Sequence, residues 1–272
     1  TIQVGFYKKR MWEIDPILQT SERNSRKESL ILQTQIGRVK ARLKANPTRH
    51  YNSSYKHSKI RMIIFKKKIK PLCLHLNISI KTFYFSLALF DFIASKYLFS
   101  QAMFYKVALT CLILAVKTRE SQATLKNLKQ IVPYAFRSQL EFNALEKKFL
   151  TILNFNLNVV TVFDIISLLA SKIEFFDEIK KSEIDHFKIL ISRICFEICL
   201  NYSANRFQVI AMALSIFIFA RETFNCNSLL PSTFNTWFEL NEQNLEKCIK
   251  MVRFYGNKIV SDFKKMKFLP ML

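Results

Sequence analysis

The chain has 272 residues, and half of them are hydrophobic, including 26 Phe. Only three are Gly, the residue that tight β-hairpins need at positive φ, so the composition disfavours a sheet and predicts an all-α fold. The formal net charge is +22. Residues 1–71 hold 18 Lys and Arg against 4 Asp and Glu, or +14, and residues 72–272 hold 24 against 16, or +8.

The first 55 residues are polar and basic. We expect a largely disordered arm there, with a moderate helix from about residue 28 to 43. Such an arm suits nucleic acid, an acidic partner or nuclear import, and a plain solvated tail is the alternative. Because the chain begins at Thr1, targeting signals upstream are left open.

From about residue 56 the pattern is helical. Ser138-Gln-Leu-Glu141 is a capping box, and Thr161-Val-Phe-Asp164 plays the same role for the next helix. Apolar residues at helical spacing make two continuous faces, Phe187, Leu190, Ile191, Ile194, Cys195, Ile198 and Cys199, and then Leu245, Cys248, Ile249, Val252, Tyr255 and Ile259. Pro133 and Pro231 are expected between helices.

The helices fall into two sets of about five, near 56–157 and 161–262. Val107–Lys117 resembles Ala211–Arg221, and Leu145-Glu-Lys147 recurs 100 residues later as Leu245-Glu-Lys247. Such self-similarity predicts two tandem five-helix bundles, each around a central, apolar third helix. We place the units at 56–158 and 159–264, followed by a tail, 265–272.

Two charged residues, Lys117 and Glu146, lie in or next to apolar helices. Lys117 closes the apolar stretch Val107–Val116, and Glu146 lies 29 residues later in the apolar helix that begins near Phe142. A charge beside a core helix is costly unless something satisfies it. If no partner lies within the chain, the pair marks a surface where another molecule binds. Taken singly, Lys117 also suits a helix C-terminus and Glu146 an exposed position.

Several functional classes are disfavoured. The longest apolar candidate for a membrane span, Val209–Ala220, has about 12 residues, short of the roughly 20 required. The four His are scattered, and there is no phosphate-binding Gly-rich loop or nucleophile motif, so we expect no catalytic site, metal, cofactor or small-molecule substrate. The six Cys lack zinc-ligand spacing and indicate a reducing compartment, the nucleus or the cytoplasm.

Four charged residues, Arg61, Asp91, Lys117 and Glu146, lie in the predicted helices of the first unit. Their surroundings are Ile60–Phe65, Leu89–Ser95 and Leu114–Glu120, and Leu153-Asn-Phe-Asn-Leu157 follows Glu146. With these stretches the chain resembles the cyclins, in particular the two-box, mitotic A/B-like kind. That family's first box carries an Arg in its first helix, an Asp in its second, a Lys at the end of its third and a Glu in its fifth.

The resemblance implies a regulatory subunit that binds and activates a cyclin-dependent protein kinase as a heterodimer in cell-cycle control. Lys117 and Glu146 match residues that bind the kinase αC region, and Arg61 and Asp91 match a pair that braces the box internally. The family's substrate-docking patch falls on Ile60, Ile64 and Lys67, where its Trp is absent, so that patch is degenerate.

Two further departures are Phe92, where the family has Arg, and Lys106, where it has Leu. The rival interpretation is a nucleic-acid-binding transcription factor on the same duplicated fold. It is favoured by the +14 arm and by Lys66-Lys-Lys-Ile-Lys70. A scaffold that retains the fold without kinase binding is a third interpretation.

Overall fold

The structure is a computed structural model, which describes residues 55–97, 99–170, 183–200, 207–225 and 242–265, and positions 34, 35, 37–39, 41 and 42. Within these residues every regular element is helical, which confirms the all-α class. The first half contains α1 Tyr55–Ile64, α2 Lys70–His75, α3 Ile80–Lys96, α4 Phe104–Arg119, α5 Gln122–Lys129, α6 Val132–Ala135 and α7 Gln139–Ile152. The second contains α8 Val162–Ala170, α9 Ile184–Leu200, α10 Val209–Thr223 and α11 Glu242–Lys265.

The predicted central helices are α4 and α10. Every residue from Val107 to Val116 in α4 is buried, and α4 packs against α1, α3, α5 and α7. In α10 the residues from Ala211 to Phe217 are buried, and this helix packs against α8, α9 and α11. A helix that is apolar nearly all round is stable only when neighbours surround it, so the sequence pattern located both centres.

The predicted helix starts are present at two capping residues. The hydroxyl of Ser138 accepts from the Glu141 amide (3.1 Å), while the Glu141 carboxylate accepts from the Arg137 amide (2.7 Å). Thr161 and Asp164 form a reciprocal box: each side chain accepts from the other's amide, at 3.1 and 2.9 Å. Side chains thus satisfy amides that lack helical partners, and the start of α8 is fixed directly after the first half.

The two halves share aromatic contacts. Tyr84 on α3 stacks on Phe163 of α8 with ring centroids 4.8 Å apart, and Phe83 lies 5.8 Å from Phe196 of α9. These rings belong to one continuous hydrophobic core. Helix α3 of the first half is therefore also a packing surface for the second.

Some predictions concern segments of which the structure describes only a part. The described positions between 34 and 42 are helical, as expected for part of the 28–43 helix. The second half shows four of its five expected helices, and the segment 226–241, with Pro231, lies outside the described residues. Most of the basic arm and the 265–272 tail also lie outside them, and the domain boundaries remain predictions.

The prediction that Val209–Ala220 is the longest membrane-span candidate is wrong. In the described part of the chain, the segment Gln101–Arg119 is long and apolar enough to cross a membrane by length and composition. The sequence count missed it because Lys106 interrupts its start. In the structure 61% of the segment is buried inside the fold, as expected of the central helix of a bundle.

Helix α11 packs closely against α10 at Gly256. A Cβ at this position would lie 2.3 Å from Cε1 of Phe219, whose ring is buried. We therefore expect Gly256→Ala to lower the free energy of unfolding by about 1 to 2 kcal/mol, because the clash outweighs the gain in helix propensity. Chemical denaturation followed by circular dichroism measures this.

Gly37→Ala is the matched control, because a Cβ at Gly37 meets no atom within 4 Å. That variant should lose no stability. Equal effects of the two substitutions would contradict close packing of α11 on α10.

Candidate functional site

Arg61 is the centre of a buried ionic cluster. Its side chain, 4% exposed, donates to both carboxylate oxygens of Asp91 on α3, at 2.5 and 2.6 Å. It also donates to the backbone carbonyls of Leu200 (3.0 Å) and Cys199 (2.9 Å). The planar guanidinium has five N–H donors, which suits such a set of acceptors.

The carbonyls of Cys199 and Leu200 end helix α9, where the last carbonyls of a helix have no intrahelical partner. Arg61 therefore joins α1 and α3 of the first half to α9 of the second. The sequence predicted Arg61 and Asp91 together, and it missed the carbonyls. Nothing in a sequence marks a particular carbonyl as an acceptor, because every residue carries one.

The structure brings together Lys117, in the last turn of α4, and Glu146, in the middle of α7. Nζ of Lys117 lies 2.6 and 2.7 Å from the two carboxylate oxygens of Glu146. The side chains are 33% and 14% exposed, respectively. Each charge is thus the other's partner, so the condition under which the sequence pattern alone marks a binding surface, that no partner lies within the chain, is not met. The alternative that Glu146 is simply exposed is also wrong.

The charged neighbours of Lys117 are already engaged inside the fold. Arg119 contacts both carboxylate oxygens of Asp164, at 3.2 and 3.4 Å, and its guanidinium lies 4.1 Å from the centre of the Phe85 ring. Glu120 accepts from the Thr82 hydroxyl (2.5 Å). These contacts hold the end of α4 to α3 and α8, and they fix the backbone from which Lys117 projects.

An exposed aromatic residue, Phe155, follows the helix that carries Glu146. Its side chain is 70% exposed, and both Phe155 and the preceding Asn154 have positive φ, 56° and 49°. A bulky residue in this left-handed region is rare and costs conformational energy. Phe155 lies within the motif Leu153-Asn-Phe-Asn-Leu157, but neither its exposure nor its φ can be read from a motif, so the sequence did not mark it as a site residue.

The three positions of the degenerate docking patch differ in exposure. Ile64 is buried and Ile60 is partly buried, whereas Lys67 is exposed. Helix α1 continues into a π-helical turn, Phe65–Ile69, which adds one residue per turn and shifts the face that follows. The large apolar side chains exposed on α1 are instead those of Met62 and Ile63.

The departures at Lys106 and Phe92 have local explanations. Lys106 extends from α4 to Glu141 on α7, 2.5 Å away, and the pKa of that carboxyl is held below its ordinary value mainly by this hydrogen bond. Phe92 is partly buried and packs against the core. Neither residue disturbs the helix pairing.

The second half does not reproduce the Lys117–Glu146 pair. Arg221, which the repeat aligns with Lys117, is buried. Glu246, which the repeat aligns with Glu146, forms an exposed ion pair with Lys250 on its own helix, at 2.8 Å. The duplicated positions therefore have different surroundings in the two halves.

The described cysteines are structural. All five are buried, and Sγ of Cys195 lies 3.8 Å from Sγ of Cys199. Burial raises the pKa of the Cys73 thiol to about 12 and lifts the pKa of Cys195 well above its ordinary range. Thiols of this kind are poor nucleophiles. No cluster of metal-ligating side chains occurs among the residues that the structure describes.

Residues 34–158 match the family model "Cyclin, N-terminal domain". The X-ray structure of a viral cyclin from herpesvirus saimiri matches with a TM-score of 0.60 and 15% identity, over 83% of this chain and 96% of that chain. No curated protein sequence gives a match. Residues 34–158 are thus similar to a cyclin N-terminal domain, and the described helices share the fold of that viral cyclin. Together these findings support the cyclin family, without distinguishing types within it.

Arg61→Ala should lower the free energy of unfolding by about 3 to 5 kcal/mol, because it leaves the largely buried Asp91 carboxylate without its bidentate partner. Urea denaturation measures the change. Lys66→Ala is the control: Lys66 pairs with Glu197 at the surface (3.1 Å), so its loss should cost less than about 1 kcal/mol. A loss for Arg61→Ala no larger than the control's would contradict the bracing role.

Proposed function

We propose that this chain is a two-box cyclin that binds and activates a cyclin-dependent protein kinase through the Lys117–Glu146 pair. The observation that carries the proposal is a partly exposed, bidentate ion pair that joins α4 to α7 inside the matched cyclin domain. Its positions are those that the resemblance assigns to kinase contact. Nuclear or cytoplasmic location and a role in cell-cycle control belong to the same proposal.

The chemistry of the pair suits an incoming backbone. The Lys117 ammonium has three N–H donors, and the two oxygens of Glu146 engage it from one side. A donor and further carboxylate lone pairs remain for carbonyls and amides of a bound segment. Because the ion pair orients both side chains beforehand, less conformational entropy is lost on binding.

Phe155 adds an apolar contact to this surface. It lies three residues beyond the last residue of α7, the helix that carries Glu146. Exposed aromatic residues supply much of the binding energy of protein interfaces, so a ring on the segment after α7 suits a contact surface that extends from the ion pair. We include Phe155 in the proposed kinase surface for this reason.

The proposed activation is a shift in the kinase conformation. A cyclin that holds the kinase αC helix inward allows the αC Glu to pair with the β3 Lys, which aligns the ATP phosphates. The cyclin needs only to bind the active conformation more tightly than the inactive one. No catalytic group on this chain is required.

Lys117→Ala combined with Glu146→Ala should abolish capture and activation of a kinase by the full chain. It should lower the free energy of unfolding by less than about 1 kcal/mol, because the pair is partly solvated. Pull-down from native lysate with a histone-kinase assay and mass spectrometry measures the first effect, and thermal unfolding measures the second.

The control is Lys126→Ala with Lys129→Ala on α5, both exposed. Capture of no kinase by the wild-type chain would overturn the proposal.

The charge-swapped variant Lys117→Glu with Glu146→Lys separates binding from structure. It retains an ion pair between α4 and α7 and reverses the donor and acceptor positions presented to a partner. We expect normal stability and no kinase activation. If the swapped chain activates the kinase as well as the wild type does, the pair acts only as an internal brace.

The nucleic-acid alternative retains weaker support. Its main basis, the arm at residues 1–55, lies mostly outside the described residues. Of the run Lys66-Lys-Lys, all three residues are exposed, but Lys66 lies 3.1 Å from the Glu197 carboxylate. Binding of DNA by the full chain that weakens steeply with salt would favour this alternative, because phosphate contacts release counterions.

A further inference from the structure

The second half has its own ion pair at the junction of its central helix and its last long helix. Glu222, near the end of α10, accepts from Arg253 of α11 at 3.0 and 2.5 Å. In the first half, the corresponding junction of α4 and α7 has Lys117 and Glu146. The two junctions thus carry pairs of opposite polarity, with the cation on the central helix in the first half and on the last helix in the second.

An exposed aromatic residue also accompanies the second pair. Phe254, next to Arg253, is 75% exposed, while Val252 and Gly256 of the same helix are buried. Close contact of Gly256 with Phe219 fixes the rotation of α11 on α10, so Phe254 is held outward. In the second half, an exposed ring is therefore directly adjacent in sequence to an inter-helix ion pair.

Lysines surround Phe254 on the outward face of α11. Residues three, four or seven apart share one side of a helix, and Lys247, Lys250 and Lys258 stand at these spacings from Phe254. All three are exposed. We call Lys247, Lys250, Arg253, Phe254 and Lys258 the α11 surface.

We propose that the α11 surface binds an acidic protein segment that carries an apolar side chain. The lysines complement carboxylates, and Phe254 supplies an apolar contact at their centre. Arg253 and Lys250 are paired with the carboxylates of Glu222 and Glu246, so the positive charge of this face is concentrated at Lys247 and Lys258, on either side of Phe254. Separated cations with an apolar side chain between them match a peptide that has separated carboxylates and an apolar residue better than they match the regular repeat of a phosphate backbone. The inference is independent of kinase binding, since it uses other helices.

The test is fluorescence anisotropy of the full chain with a short labelled peptide of Glu residues and two Leu residues spaced four apart. Phe254→Ala should weaken binding about tenfold, and Lys247→Glu with Lys258→Glu should weaken it at least as much. Lys126→Glu with Lys129→Glu on α5 makes the same change in net charge away from the surface and should leave binding unaltered.

Three results would overturn the inference. The first is no binding of the peptide by the wild-type chain, and the second is equal weakening in the α5 control, which would indicate nonspecific attraction. The third is tighter, Phe254-dependent binding of oligothymidylate or phosphatidylserine vesicles, which would assign the surface to nucleic acid or membrane. Kinase capture by the Phe254→Ala variant should be measured in parallel and should equal that of the wild type. A failure of the α11 proposal can then be told apart from a failure of the kinase proposal.

Discussion

The arrangement of the helices depends most on the hydrogen bonds and the ion pair that the guanidinium of Arg61 makes. It satisfies a largely buried carboxylate on α3 and two carbonyls at the end of α9, so three helices from both halves converge on one side chain. A buried charge is tolerated only when its partners are complete. The positions of α1, α3 and α9 are therefore coupled, and α3 in turn packs along the central helix α4.

These helices also position the end of α4 and the adjoining part of α7, which carry the residues proposed to bind the kinase. Arg119 and Glu120 tie the end of α4 to its neighbours, and Lys117 meets Glu146 at the surface. The second half has a junction of α10 and α11 whose ion pair has the opposite polarity. A segment suited to one junction therefore meets reversed charges at the other, and we infer that the two halves bind different partners.

The sequence predicted those features that depend on local pattern. The all-apolar stretches located α4 and α10, and the capping boxes at Ser138 and Thr161 located the starts of α7 and α8. Contacts between segments that are distant in sequence could not be predicted in the same way. That Lys117 and Glu146 bond to each other, and that Arg61 also binds the end of α9, depends on how helices cross in space. Exposure of Phe155 and Phe254 likewise follows only from the packed structure.

The most direct test of the central claim is an experimental structure of the full chain bound to the kinase that it captures. The account predicts that the Lys117 ammonium and the Glu146 carboxylate lie within hydrogen-bonding distance of backbone groups in the kinase αC region, with Phe155 buried beside them. A complex in which the two side chains bond only to each other and face solvent would contradict the account.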